Sequence, residues 1–294
     1  MHDRIPTANE LYFSNIPLDA RHLENLEKRF FQSVGLPNGT WKTTAHRRLD
    51  DLNALVEKYL PRNRSIDVMD VAVSSGVSTL EWLESMERAG ISCRMTAGDA
   101  AADAYLVTIA SGLRVLVDRR GYPLQYEVRG HAIRLPIRKR DMLLYGLPVM
   151  YMRRVLEKVV APALKATNRT QEGSQGGVSW RPLKLVSPLL RNRIEVVEDD
   201  ILVNRAYREC FDVVRAANIL NRGYFDEGTL MAMLLNLRNR LRTGGLLVVC
   251  RTNEKNVNHG SILALGEDGR LSQVARLNEG SEVEDIALSL PTVS

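Results

Sequence analysis

The residues of this sequence best placed to bind a ligand are a turn of small side chains and two later carboxylates. Residues 72–76 read AVSSG, and small side chains there let the backbone approach a ligand closely. Asp99 lies 23 positions beyond Gly76, and a carboxylate can accept hydrogen bonds from both hydroxyls of a ribose. Asp200 followed by Ile201 suits the exocyclic amine and the ring of a base. This set of groups predicts a nucleoside-shaped ligand.

Each of these groups also has an ordinary structural interpretation, and so does Asn218. Asn218 offers a donor and an acceptor together, yet asparagine at a strand end is often only a turn residue. Asp99 alone suits a helix cap, and Asp199 with Asp200 suits a solvated loop. Small residues between a strand and a helix also permit tight packing. The functional interpretation therefore requires all of these groups to fall at one edge of one sheet.

The surrounding pattern of alternating strands and helices predicts such an edge. Residues 66–73 form an apolar-rich run typical of a strand buried in a parallel sheet. A helix is predicted over 78–89, and a second strand over 93–97. Ligands of open α/β sheets bind beyond the carboxyl ends of the strands, where all of the polar groups above fall. The later elements of this pattern are predicted strands at 193–198, 211–216 and 246–250 and a helix at 230–241.

The rest of the chain predicts additions to this sheet. Residues 1–64 indicate a helical N-terminal cap, and residues 65–294 indicate the main domain, interrupted by an insertion at 105–190. Within the insertion, the polar and glycine-containing stretch 167–177 is expected to be a mobile loop. Residues 261–288 predict two strands that form an edge hairpin. The expected fold is α/β, a doubly wound and mostly parallel Rossmann-like sheet with an antiparallel C-terminal edge hairpin and an α+β insertion after the second strand.

A family resemblance rests on two of these segments. The sequence DVAVSSG at 70–76 resembles the first motif of class I S-adenosylmethionine-dependent methyltransferases, with alanine and serine in the earlier glycine positions. This variant is similar to the one in the chemotaxis receptor (CheR-like) methyltransferase group. FDVVRAANIL at 211–220 and GYFD at 223–226 also resemble that group's fourth-strand motif. The resemblance covers roughly residues 64–100 and 190–255.

The resemblance implies S-adenosylmethionine as the cofactor. By it, the small-residue turn lies against the amino acid part of the cofactor, Asp99 against its ribose, and Asp200 with Ile201 against its adenine. The predicted cofactor-binding residues are Asp70, Ala72, Ser74, Gly76, Asp99, Ala100, Asp200, Ile201 and Asn218.

Three functions remain open. The first is a methyltransferase acting on a small or amphipathic acceptor; the second is a protein glutamate O-methyltransferase of the chemotaxis type; the third is a catalytically inactive cofactor-binding regulator or scaffold. A dehydrogenase would require G-x-G-x-x-G at the first turn, and neither a P-loop nor a G-x-S-x-G elbow occurs. No metal ligand is predicted. Tyr207, Asn218 and Tyr224 are candidates for a general base, and no catalytic residue is assigned.

Positive charge is concentrated in the insertion. Residues 112–154 hold ten Lys or Arg and three Asp or Glu, a net charge of +7, whereas the whole chain carries +5. The adjoining residues 142–152 are mostly apolar. This combination suits either a basic lid over a cofactor cleft or an element that contacts an anionic membrane surface, with a small or lipid-like substrate. Nucleic acid is not an expected partner, because aromatic residues are few and no binding module is recognisable.

The sequence also bears on location and on the cysteines. No window reaches the ~18 apolar residues that a membrane span requires, and the N-terminus lacks the apolar stretch of a secretion signal. The expected location is the cytoplasm, peripheral to the inner face of the membrane if the insertion binds there. Cys93, Cys210 and Cys250 are an odd set without CxxC spacing, so neither a disulfide framework nor a zinc site is expected. Cys93 and Cys250 are predicted to be core thiols.

Overall fold

The structure is a computed structural model that describes most of the chain: residues 4–14, 20–35, 42, 46–166, 171–203 and 205–292. It is a mixed α/β structure with a large and mostly parallel sheet. Two compact units make up the chain. The insert unit consists of Met1–Thr44 with Ala101–Pro188, and the core unit consists of Ala45–Ala100 with Leu189–Ser294. Because compactness does not test independent folding, the domain boundaries predicted from the sequence stay predictions.

The described residues form nine α-helices and thirteen strands. The helices are α1 (Ala8–Phe13), α2 (Ala20–Phe31), α3 (Asp50–Val56), α4 (Val77–Arg88), α5 (Lys139–Val155), α6 (Ala161–Ala166), α7 (Pro188–Arg191), α8 (Glu227–Asn239) and α9 (Glu284–Leu288). The strands are β1 (Ile66–Val71), β2 (Cys93–Asp99), β3 (Asp103–Ala110), β4 (Leu113–Asp118), β5 (Pro123–Val128), β6 (His131–Arg134), β7 (Gly173–Gln175), β8 (Val178–Lys184), β9 (Glu195–Glu198), β10 (Phe211–Ala217), β11 (Leu241–Thr252), β12 (Asn258–Leu265) and β13 (Leu271–Leu277). A 3-10 turn, Glu57–Tyr59, follows α3, and a π-helical turn, Leu156–Val160, joins α5 to α6.

The core unit is built on a seven-stranded sheet with the order β13-β12-β11-β10-β1-β2-β9. The five strands from β11 to β9 are parallel, and Val71 of β1 pairs with Gly98 of β2 and with Ala216 of β10. In β1, every residue except Asp67 is buried, as expected of a strand covered on both faces. β12 and β13 add an antiparallel hairpin at the edge. The carboxyl ends of β9, β2, β1 and β10 therefore lie side by side.

Apolar side chains from neighbouring strands form the core on one face of this sheet. Met69, Val214 and Leu247 come from three adjacent strands and are completely buried. They belong to one cluster with Leu234 and Leu237 of α8. Burial of each such side chain contributes about 1.5–3 kcal/mol, so this packing holds the strand ends in a fixed arrangement.

The insert unit is a six-stranded antiparallel sheet, with the order β6-β5-β4-β3-β8-β7, between two sets of helices. Successive residues of β3 point to opposite faces, as the strand period of two requires. Tyr105 and Val107 pack in a cluster with residues of α5, whereas Ala104 and Leu106 pack in a cluster with residues of α1 and α2. The alternation of β3 therefore supplies both cores of this unit.

One segment differs from its sequence prediction because a short strand packs on a tryptophan side chain. Residues 167–177 were expected to be a mobile loop, yet β7 pairs with β8 between residues 173 and 180. A Cβ on Gly173 would lie 2.4 Å from Cζ2 of Trp180, so the absence of a side chain lets β7 lie directly on the indole. The prediction of a loop is therefore wrong for this part; residues 167–170 lie outside the described residues.

Two other boundaries differ from the predicted ones. The helix predicted over 230–241 ends at Asn239, and β11 already begins at Leu241, so Gly244 and Gly245 lie within the strand. Gly244 has a φ of +79°, which permits a turn inside the paired segment. The C-terminal hairpin is confirmed, although its second strand ends at Leu277, and the segment beyond it contains α9.

Candidate functional site

The turn after β1 has the backbone conformation of a glycine-rich loop. Ala72, Ser74 and Gly76 have φ angles of +55°, +57° and +77°. Only glycine adopts this region without strain; other residues lose roughly 1–2 kcal/mol each. The turn is closed by hydrogen bonds from the Val73 N–H to the Gly98 carbonyl at 3.2 Å and from the Gly76 N–H to the Val73 carbonyl at 2.8 Å. Two non-glycine residues are thus held in a strained loop at the end of the central strand.

Asp99 connects this turn to the neighbouring strand. It is the last residue of β2 and is 8% exposed. The Ser74 N–H donates a hydrogen bond of 2.7 Å to its Oδ2. Asp99 and Ser74, both predicted site residues, are therefore in direct contact, and the carboxylate anchors the turn.

Asn218 follows β10 and contributes a buried donor. Its φ is +62°, its own N–H donates to the Cys250 carbonyl at 2.8 Å, and its Oδ1 accepts from the Thr252 N–H at 2.7 Å. Its Nδ2 is buried and has no hydrogen-bond partner among the described residues. Because such a group is costly to bury unpaired, Asn218 Nδ2 is suited to donate to a bound ligand.

The two aspartates after β9 have different environments. The Asp199 carboxylate forms a completely buried ion pair with Arg240, through hydrogen bonds of 2.6 and 3.0 Å. Asp200 is exposed, and its carboxylate accepts a hydrogen bond from the Leu202 N–H at 3.0 Å. Ile201 is 5% exposed and packs in the core cluster of α8. Ala100, after β2, is exposed at the sheet edge.

Asp70 is buried in the core unit, and its carboxylate accepts hydrogen bonds from other side chains. Arg215 of β10, its register partner, donates to it through Nε at 2.9 Å and a terminal guanidinium nitrogen at 2.6 Å, and the Thr79 hydroxyl donates at 2.7 Å. The Arg215 guanidinium also lies 4.1 Å from the ring centroid of Trp82. The role predicted for Asp70, contact with a cofactor, stays a prediction; its observed contacts join β1, β10 and α4.

The structure brings the turn and Asp99 into contact, and positions Ala100, Asp200 and Asn218 just after the carboxyl ends of β2, β9 and β10. Sequence reasoning missed Arg215 and Arg240. The signal for Arg215 was an arginine within the apolar run FDVVRAA, which is rarely buried unless paired. Arg240 had no comparable signal, because it follows a helix in a basic segment.

Tyr207, one of the candidates for a general base, is not activated by its surroundings. Burial raises the pKa of the Tyr207 hydroxyl, and the charge of Asp199 raises it further. Burial raises the pKa of the Cys250 thiol to about 12. Tyr224 is 80% exposed. Neither Tyr207 nor Cys250 therefore supplies a deprotonated group near neutral pH.

Substituting glycine for Ala72 or Ser74 is expected to raise the free energy of unfolding by about 0.5–1 kcal/mol. The substitution relieves a strain of roughly 1–2 kcal/mol and adds about 0.4–1 kcal/mol of unfolded-state entropy cost. Urea unfolding measures the difference. The control is Ala89→Gly, at a φ of −78°, which is expected to lower the same quantity by up to about 1 kcal/mol.

Substituting alanine for Gly76 is expected to lower the free energy of unfolding. A Cβ there would lie 2.3 Å from Cδ2 of Leu190, in addition to the left-handed backbone. Loss of stability in Ala72→Gly similar to that in Ala89→Gly would contradict the left-handed conformation of the turn.

Comparison with known proteins gives only weak structural similarity. No protein-family model and no curated protein matches this chain. The CMeT domain of the citrinin polyketide synthase is 12% identical over 70% of this chain and 35% of its own, with a TM-score of 0.34. The PH0226 protein from Pyrococcus horikoshii is 13% identical over 82% and 78%, with a TM-score of 0.34. An S-adenosylmethionine-dependent methyltransferase from Mesorhizobium loti is 10% identical over 71% and 55%, with a TM-score of 0.32.

The chain thus spans about a third of the first of these proteins and about half of the third. Similarity at this level carries no argument about activity. Any functional conclusion has to come from the residues at the sheet edge.

Proposed function

We propose that the core unit is an S-adenosylmethionine-dependent methyltransferase acting on a small or amphipathic acceptor. The observation that carries this proposal is the small-residue turn, which keeps three left-handed positions although only one of them is glycine. Strained backbone of this kind persists where surrounding contacts over-determine it, and it clusters at ligand-binding sites. The turn stands at the end of the central strand, where open α/β sheets bind nucleotides.

The residues around the turn suit the parts of this cofactor. Asn218 Nδ2, which has no partner in the described part of the chain, offers a donor, and the exposed Asp200 carboxylate offers an acceptor for the exocyclic amine of adenine. Asp99 is the proposed partner of the ribose, next to the turn that it anchors. Ile201 fits less well, since its side chain belongs to the core cluster. Asp70 is proposed to support the site by holding β1 in place through its contact with Arg215.

When bound, the cofactor supplies a methyl group on a sulfonium, which is a good leaving group. The protein then has to orient the acceptor, and orientation alone contributes up to about 7–11 kcal/mol in favourable cases. The fixed turn and the Asn218 amide are the groups proposed to hold the cofactor so that its methyl group faces the acceptor. A strong base is needed only for an acceptor that is protonated at the working pH.

Asp99→Ala is expected to weaken the binding of S-adenosylmethionine and of S-adenosylhomocysteine by about 1.5–3 kcal/mol, roughly a 10- to 150-fold rise in Kd. The variant loses the proposed acceptor of the ribose hydroxyls and the anchor of the Ser74 N–H. Titration calorimetry with both compounds measures the effect. Asp99→Asn separates the two causes, because an amide oxygen can still accept from Ser74 without the negative charge.

Asp67→Ala is the matched control for this experiment. Asp67 lies on β1, away from the turn, and pairs with Arg94 and Arg242, so its loss should leave the affinity unchanged. Wild-type protein that binds neither compound would reject the proposal in favour of a scaffold. Binding with an unchanged affinity in Asp99→Ala would reject only the role of Asp99. The chemotaxis-type alternative has no observation in its favour beyond its motif resemblance.

A further inference from the structure

The outer face of α5 carries a row of large apolar side chains in solvent. Six of the fourteen large apolar residues that are exposed in the described part of the chain lie on this helix. Leu143, Leu147 and Met150 are 88%, 82% and 63% exposed, and their spacing of four and three residues aligns them on one face. Leu144 and Tyr151, also more than half exposed, lie beside them. Contiguous apolar surface of this kind marks an interaction site.

The opposite face of α5 fixes the helix in the insert unit. Val149 and Met152 are 4% and 0% exposed and belong to the core cluster that includes Tyr105 and Val107 of β3. The helix is therefore anchored by one apolar face while a second apolar face points into solvent. A surface helix usually has a polar outer face, so the second face requires its own explanation.

Basic residues surround the exposed row. Between residues 139 and 165 the chain has six Lys or Arg and two acidic residues. Lys139 and Arg140 stand at the start of α5, and Arg153 and Arg154 at its end. A cavity of about 180 Å³ in the same unit is lined by Arg119, Arg120, Leu164 and Lys165.

We propose that the outer face of α5 binds the surface of an anionic lipid bilayer. Leu143, Leu147 and Met150 would lie among the headgroups, and the basic residues would contact lipid phosphates. Apolar residues with a basic surround on one helix are typical of interfacial helices. A second copy of the chain fits less well, because a symmetric contact would bring two basic surrounds together. Among the described residues no helix has the length and apolarity to cross a bilayer, so the contact is peripheral.

Vesicle co-sedimentation tests this proposal with wild-type protein and the triple variant Leu143→Ser, Leu147→Ser, Met150→Ser. Vesicles of phosphatidylcholine with roughly one third phosphatidylserine are compared with phosphatidylcholine alone. Wild-type protein is expected to partition at least about tenfold more strongly onto the anionic vesicles, and less at high salt. The triple variant is expected to lose at least about tenfold on the same vesicles.

The matched control replaces three exposed apolar residues of the core unit, in Val257→Ser, Val274→Ser, Leu288→Ser, and should partition like wild type. If the α5 variant does not fold, protection of residues 139–155 from hydrogen exchange on anionic vesicles replaces it as the readout. Equal partitioning onto neutral vesicles or by the α5 variant would overturn the proposal. The proposal would also be overturned by a wild-type dimer that the α5 variant converts to a monomer. A loss of S-adenosylhomocysteine affinity in the α5 variant, together with wild-type protein that does not bind vesicles, would overturn it as well. Cofactor binding has no part in the proposal, so the two can fail separately.

Discussion

Replacing Asp199 with alanine is expected to lower the free energy of unfolding by about 3–5 kcal/mol, whereas Asp200→Ala is expected to change it by less than about 0.5 kcal/mol. The side chains of Asp199 and Arg240 are both 0% exposed, and Asp199→Ala leaves a buried guanidinium without its carboxylate. Asp200 is exposed and makes one local hydrogen bond to the Leu202 N–H. Two adjacent aspartates are therefore expected to have separate structural and binding roles.

Urea unfolding followed by circular dichroism measures the difference in stability between the two variants, and calorimetry with S-adenosylhomocysteine measures their difference in binding. Asp200→Ala is expected to weaken binding by about 1.5–3 kcal/mol, because the exocyclic amine of adenine loses a charged acceptor. Each variant is the control for the other. Similar losses of stability in both would contradict the buried pair of Asp199 and Arg240.

The second large effect is expected at Arg215, where Arg215→Met should lower the free energy of unfolding by about 3–5 kcal/mol. This guanidinium is 1% exposed and serves Asp70, the Asn53 side chain at 2.7 Å and the Ser78 carbonyl at 3.2 Å. Its removal leaves the Asp70 carboxylate buried, with the Thr79 hydroxyl as its one remaining side-chain donor among the described residues. Both the ion pair and the contacts that orient α3 and α4 are lost.

A double-mutant cycle distinguishes the ion pair from these other contacts. Asp70→Ala with Arg215→Met should cost less than the sum of the single variants by about 2 kcal/mol or more, since neither charge is left alone. Urea unfolding of the four proteins gives the coupling. Additive losses would mean that Arg215 stabilises the protein through Asn53, Ser78 and Trp82, and that Asp70 is available for the binding role its motif predicts.

The strands of the core sheet could be predicted because their apolar runs record burial on both faces. The run at 66–73 and the one at 211–216 correspond to β1 and β10, and the carboxyl ends of the parallel strands lie at one edge as expected. β2 extends to Asp99, so the predicted carboxylate is itself the last strand residue. The local pattern is sufficient here because a strand covered on both faces has to be mostly apolar.

The ion pairs and the strain could not be predicted in the same way. Asp70 and Arg215 are separated by 145 positions, and which carboxylate meets which arginine depends on strand register. The small size of Ala72 and Ser74 suggested close approach of a ligand, but their positive φ angles depend on bonds to Gly98 and Asp99 of the next strand. Of the core thiols, Cys250 is buried and Cys93 only half-buried.

The return of the insert unit to its starting point has a consequence for the order of folding. The second segment of this unit runs from Ala101 to Pro188, and near its two ends the Leu185 N–H donates to the Ala102 carbonyl at 2.7 Å. Without that closure, joining β2 to β9 would require ordering a loop of some 95 residues, which costs about 2 kcal/mol more than one of a dozen. Once the insert unit has formed its own sheet, the two chain ends that lead to β2 and β9 lie close together. Pairing β9 with β2 then requires only a short conformational search. The rate at which β9 docks, and with it Asp200, should therefore follow the folding rate of a unit that carries none of the proposed cofactor ligands.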